Sequence, residues 1–345
     1  MPRSDDSVHP ITGPAQDVAN ESERVRIAPR AIVYMAAEIA ADTEESGADW
    51  LQAAPPTVKT YLSSLSRSER IAFFTIFHSA GFSYWGEPRW QVEQDGTRYD
   101  GAMAWLICLS KDKAWLSSSF LKNLSEEKWQ SLVQGCEGVT IPLSAQRLLL
   151  LQQLAPKLDQ FKALIENKAT ITSAKDSDTG AVNSGASGAT SALGLAFHIA
   201  ANLPGFNDCS HYRGLKLPFL KRAQLLASDL NEVFAAENNP LVDLDQLTAF
   251  ADYKIPQLLR EKEILVYDEE LARTIDNKEE IAPGSQAEIE IRANTIIVVE
   301  KLRLELLRAR LEYDARTIDA KLWRAAQKLD KAMAKPYHRC RTINY

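Results

Sequence analysis

Apolar residues spaced three and four apart run through nearly every segment from Arg30 onward, and only one short stretch alternates strictly. A period of 3.6 and a period of 2 bury different faces of the chain, so this pattern confines the fold to a mostly α class with a small β hairpin. The segment RAIVYMAAEIAADT (30–43) carries the stripe Ile32, Met35, Ala36 and Ile39. In SLSRSERIAFFTIFHSAGFSYW, Ser66 and Glu69 form an S-x-x-E capping box ahead of an apolar helix that Gly81 ends. Helical spacing resumes in AMAWLICLSKD, in SEEKWQSLVQGC with Ser125 as N-cap, in SAQRLLLLQQLAPKLDQFKALIEN and in LGLAFHIAANL. The stretch LPFLKRAQLLASDLNEVFAA is expected as helix, with an apolar face from Leu217 to Phe234. Pro256 suits the first turn of a further helix, and two long helices are expected over roughly 286–311 and 316–334. The exception is RWQVEQDGTRYDG, whose alternation about Asp95-Gly96 predicts a hairpin with a type I′ turn.

Residues 1–26 are polar and proline-containing, and are expected as a disordered tail ahead of a single domain over 27–345. Within that domain, 167–192 loses all periodicity, is rich in Ser, Thr, Gly and Ala, and reads as a low-complexity insertion. No run of 18 apolar residues and no apolar leader occur, so a cytoplasmic protein without a membrane span is expected. A net charge of −6 opposes binding to a phosphate backbone. Four scattered cysteines without a C-x-x-C pair, and five histidines without H-x-x-x-H spacing, suggest neither disulfides nor a metal site. No cofactor is expected, and the expected mode of action is a monomer handling a small-molecule substrate without nucleic acid.

FADYKIP (250–256) raises the sharpest chemical question. Its carboxylate, Asp252, stands between Phe250 and Tyr253 just before a helix. Two rings can hold a flat ligand while the acid faces it, and partial burial can tune that acid. The same residues also suit a plainer role, with Asp252 capping the helix and the rings filling core. In TIDAKLWRAAQKLDKA, the stripe Ile318, Leu322, Ala325, Leu329 and Met333 has Asp319 and Trp323 on its edge, four residues apart. Asp319 can face inward beside the ring or serve the helix dipole. Lys221 and Arg222 flank an apolar helix face, with Asp229 two turns on, and fit either an anion site or a solvated edge with a salt bridge.

The motifs FSYWGE (82–87), RYDG (98–101), FLKRAQLLASDL (219–230), FADYKIPQLL (250–259), QAEIEIRANTIIVVE (286–300), IDAKLW (318–323) and PYHRCRTINY (336–345) occur in order. Together they resemble the queuosine salvage family, the queuosine 5′-phosphate N-glycosylases. The resemblance implies a helical fold distantly similar to DNA glycosylases. It also implies hydrolysis of queuosine 5′-monophosphate to queuine, used in tRNA modification, and ribose 5-phosphate. By the same resemblance Phe250 and Asp252 fall on positions that contact the base and the scissile bond, and Asp319 on a second ligand-binding acid; since positive charge grows on the sugar as the bond breaks, Asp252 is the candidate catalytic carboxylate. Tyr253, Trp323, Lys221, Arg222 and Asp229 complete the candidate substrate-binding set, with Lys221 or Arg222 meeting the 5′-phosphate. The chain departs from the family pattern in carrying Arg324 after the LW motif, and His78 ahead of the aromatic motif. An inactive helical protein that binds a nucleotide or modified base is the alternative.

Overall fold

The computed structural model describes residues 8–42, 54–166, 190–236, 238–329 and 333–345. The expected insertion therefore lies outside the described residues except for 190–192. The chain begins with α1 (Thr12–Glu21), β1 (Val25–Ile27) and α2 (Pro29–Ala41), followed by α3 (Pro56–Ser63) and α4 (Arg67–Ser79). The hairpin β2 (Gln91–Gln94) and β3 (Thr97–Asp100) leads into α5 (Gly101–Ser110), α6 (Ser118–Lys122), α7 (Glu126–Leu132), α8 (Ser144–Glu166) and α9 (Ala192–Asn202). A second hairpin, β4 (Cys209–Tyr212) and β5 (Leu215–Pro218), precedes α10 (Lys221–Ala235). The remainder is α11 (Lys254–Glu261), β6 (Leu265–Tyr267), α12 (Glu269–Asp276), α13 (Gln286–Arg308) and α14 (Ala315–Gln327). The mostly α class holds, and each sheet is an antiparallel pair: β1 with β6, β2 with β3, and β4 with β5.

Local chemistry explains most of these boundaries. Ser66 accepts the Glu69 N–H while the Glu69 carboxylate accepts the Ser66 N–H, closing the capping box of α4. Ile32, Met35, Ala36 and Ile39 are the buried residues of α2. Asp95 and Gly96 have φ of 51° and 74°, as a type I′ turn requires, and Val92 stands opposite Tyr99. Arg213 and Gly214, at 49° and 86°, make a second turn of the same kind that the sequence reading missed. Leu217 accordingly lies in β5 rather than in a helix, and Leu220 takes a left-handed conformation (φ 50°) just before α10. The reason is Asp208, whose carbonyl accepts the Phe219 and Leu220 N–H groups and whose carboxylate accepts that of Lys221. These bonds hold the chain out of helix until Lys221.

Two core clusters form, joined by Leu193 and Phe197, which pack against both. The first centres on Trp105, Trp115 and Trp129, whose rings meet edge-on at 5.6–6.2 Å. The second is built around α13, with α1, α2, α11 and α14 against it. The expected disordered tail is corrected here from Thr12 onward. Ile11, Ala15 and Val18 are fully buried, and α1 packs on α13. The chain after α1 is then fixed by Glu290, whose carboxylate accepts the N–H groups of Glu23, Arg24 and Val25 at 2.7–3.2 Å. Three apolar contacts at helical spacing were hidden among polar neighbours. At the other end, Met333 is 82% exposed, so the apolar stripe of α14 stops short of it.

Candidate functional site

The segment after Leu247 has no regular backbone, so its polar groups must be met by side chains. Gln224 of α10 accepts the Thr248 N–H at 2.8 Å, and Asp319 of α14 accepts the Phe250 N–H at 2.8 Å. Arg292 of α13 donates to the Ala251 carbonyl at 3.2 Å. Helices α10, α13 and α14 thus hold the strand of chain that delivers Asp252.

Asp252 divides its two oxygens. Oδ1 accepts the N–H groups of Lys254 and Ile255 at 2.7 and 3.2 Å, capping α11. Oδ2 faces the Lys221 ammonium at 3.7 Å. One oxygen caps the helix, and the other is left to the ion pair. The carboxylate is 8% exposed, and its lysine partner is also largely buried. At that depth an ion pair is screened far less than on the surface.

Asp319 is 6% exposed, and burial pushes its pKa up to about 7; Asp252 adds to that rise, while the Phe250 N–H and the Lys221 charge oppose it. A carboxyl in this state changes charge near neutrality. The two acids and Lys221 come from three separated motifs and meet around Phe250, which is itself buried at 6% exposure.

The Tyr253 ring lies 5.1 Å from that of Tyr337, tilted by 45°, and burial, followed by the charge of Asp252, holds its phenol protonated well above the usual range. Trp323 is partly buried at the margin of the second core cluster. Arg222 is fully buried and donates to the carbonyls of His78, Ser79 and Gly205, with its guanidinium over Phe82 and Phe206. Donors spent on carbonyls in the core are not offered to a phosphate, which leaves Lys221 as the cation of the pair at the site. Asp229 Oδ2 lies 2.7 Å from His78 Nε2, so His78, where the chain departs from the family pattern, has a buried acid beside it. Among the described residues, no group of three or more His, Cys, Asp or Glu side chains is arranged to hold a metal ion.

Sequence reasoning passed over Arg292, Asp208 and Glu288. Arg292 had a visible signal, since a lone cation among Ile289, Ile291, Ala293 and Ile296 must find a buried partner. Asp208 had none, because its partner lies 84 positions away.

The family model for queuosine salvage proteins matches residues 62–345. A queuosine 5′-phosphate N-glycosylase/hydrolase from Sphaerobacter thermophilus is 34% identical over 303 residues, covering 85% of this chain and 87% of that protein. The mouse protein of the same name is 28% identical over 288 residues, covering 78% and 80%. A Dictyostelium discoideum relative of that name reaches 43% identity over 143 residues, covering 41% of this chain and 44% of its own. With most of its length matched and Asp252, Asp319 and Lys221 drawn together from distant motifs, this chain belongs to the queuosine salvage protein family.

Proposed function

We propose that this protein hydrolyses the N-glycosidic bond of queuosine 5′-monophosphate, releasing queuine and ribose 5-phosphate, and that Asp252 is its catalytic acid residue. The observation that carries this reading is the division of Asp252: one oxygen anchors it to α11, and the other is presented beside Lys221. Cleavage passes through an oxocarbenium-like state in which positive charge grows on the sugar. A carboxylate oxygen fixed near C1′ stabilises that charge selectively and orients the attacking water. The bond's electron pair leaves with the base. The water's oxygen bonds to C1′, and one of its protons passes through the carboxylate to solvent or to the ring nitrogen of the departing base. A deazaguanine carries carbon where guanine has N7, so protonation there cannot assist departure.

Asp319 takes the second task. The substrate's secondary amine is cationic at neutral pH, and a buried carboxyl that loses its proton near pH 7 pairs with it and discriminates against guanine nucleotides. Lys221 offers its ammonium to the 5′-phosphate while still balancing Asp252. Phe250, Tyr253 and Trp323 supply the flat apolar wall. The enzyme works on a free nucleotide in the cytoplasm as a monomer. Among the described residues, no helix is long and apolar enough to cross a membrane.

The test is incubation with queuosine 5′-monophosphate and detection of free queuine by mass spectrometry, with Asp252→Asn alongside. Release by the wild type, and a fall of about 100-fold or more in the variant, is the expected result. Asn keeps the oxygen that caps α11, so the variant's melting temperature should stay close to that of the wild type. Binding without release by either protein would favour a non-catalytic nucleotide-binding role.

A further inference from the structure

Arg292 sits at a meeting point of motifs that are far apart in the chain. Its Nη1 and Nη2 donate to Asp208 Oδ1 and Oδ2 at 2.9 and 2.6 Å, a two-point grip, and Nη1 also reaches Glu288 Oε1 at 3.3 Å. Its Nε donates to the carbonyl of Ala251, the residue before Asp252, at 3.2 Å. Asp208, held in this way, accepts the backbone N–H of Lys221 on Oδ2 at 3.1 Å. The rings of Phe219 and Tyr345 lie against the guanidinium, with centroids at 3.9 and 4.5 Å. The arginine is 0% exposed and the side chain of Asp208 is 2% exposed. Burial works against the charge of Arg292, but Asp208 and Glu288 outweigh it and hold the guanidinium firmly protonated.

One side chain therefore touches both segments of the proposed catalytic pair. Ala251 carries the backbone into Asp252, and Asp208 sets where α10 begins and hence where the Lys221 stem starts. A core ion network with no further task could make its bonds to any part of the scaffold. This one bonds to the residue next to Asp252, and through one carboxylate to Lys221 itself.

We propose that Arg292 is a positioning residue for the reaction, fixing the separation of the Asp252 carboxylate and the Lys221 ammonium through Ala251 and Asp208. This rests on the N-glycosidic reading given above. It requires that loosening the grip harms the transition state more than ground-state binding, because a displacement of about 1 Å can cost on the order of 100-fold in rate.

The experiment uses Arg292→Lys, which keeps the charge facing Asp208 and Glu288 but loses the planar fork and the bond to Ala251. Turnover of queuosine 5′-monophosphate is measured with amide hydrogen exchange followed segment by segment. The expected result is a kcat at least about tenfold lower with KM changed by less than about threefold. Faster exchange should be confined to 250–255 and 219–221. Asp208→Asn, which keeps the side chain's size, serves as the second variant should Arg292→Lys fail to fold, and the same pattern is expected. A soluble variant with wild-type kcat would overturn the proposal, as would faster exchange spread through the whole second core with kcat and KM changing together. Absence of turnover by the wild type would instead sink the hydrolase reading, and the role of Arg292 in it. Wild-type turnover matched by both variants sinks the positioning role alone.

Discussion

Asp319 shows how a residue's setting assigns its task. Its carboxyl caps no helix, and burial, with the negative charge of Asp252 beside it, outweighs the Phe250 N–H and the Lys221 charge and moves its proton loss toward neutrality. The consequence for stability has a definite sign. The unfolded chain loses this proton near pH 4 and the folded chain near 7, so the folded state binds the extra proton between those limits and stability falls as pH rises through that window. Asp319→Asn is therefore expected to be more stable than the wild type at pH 8 and not at pH 4, by urea unfolding at the two values. On the proposed reading, substrate binding draws the proton off. Affinity for queuosine 5′-monophosphate should then weaken as pH drops below about 7, approaching tenfold per unit, and the Asn variant should lose that dependence. A calorimetric titration showing no proton release on binding near pH 6.5 would separate Asp319 from the amine. The capping reading of Asp252 is seen on Oδ1, which leaves Oδ2 for the role proposed above.

Helices with a complete local signal were the ones the sequence located well. Ser66 with Glu69, and Ser125 with Glu126 and Glu127, marked the starts of α4 and α7 because capping is a contact between residues three apart. Ser66→Ala is expected to cost about 1 kcal/mol, read as a shift of the denaturant midpoint at constant slope. Elements fixed by distant partners were misread. Leu217 and Phe219 have helical spacing to Leu220 and Ala223, but Asp208 binds the backbone ahead of Lys221 and Leu217 pairs in a strand with Ser210. The turn at Arg213-Gly214 lacked the Asn or Asp that signals such hairpins. The pairing of β1 with β6 joins Val25 to Tyr267 and was beyond any local rule.

The molecule as a whole carries a net charge of −6, and among the described residues several of its cations are paired with carboxylates, as in Arg24 with Asp268, Arg260 with Asp276 and Lys262 with Glu38. Such a surface has little to offer a polyanion. Filter binding of tRNA or single-stranded DNA at about 50 mM salt is expected to show no retention, and a salt-dependent affinity there would contradict a free-nucleotide substrate. The two core clusters differ in how they are closed. The tryptophan-rich one is covered by its own consecutive helices, whereas the α13 cluster needs the beginning of the chain as its lid. Anyone producing this protein would be tempted to trim the polar first 26 residues. Doing so would strip Ile11, Ala15 and Val18 from α13, a loss of about 3 kcal/mol or more, and leave Glu290 without the three N–H donors it holds. A chain starting at Ile27 is expected to accumulate in the insoluble fraction when expressed, while one starting at Val8 stays soluble; for this enzyme a clone cut back past α1 is a worse one.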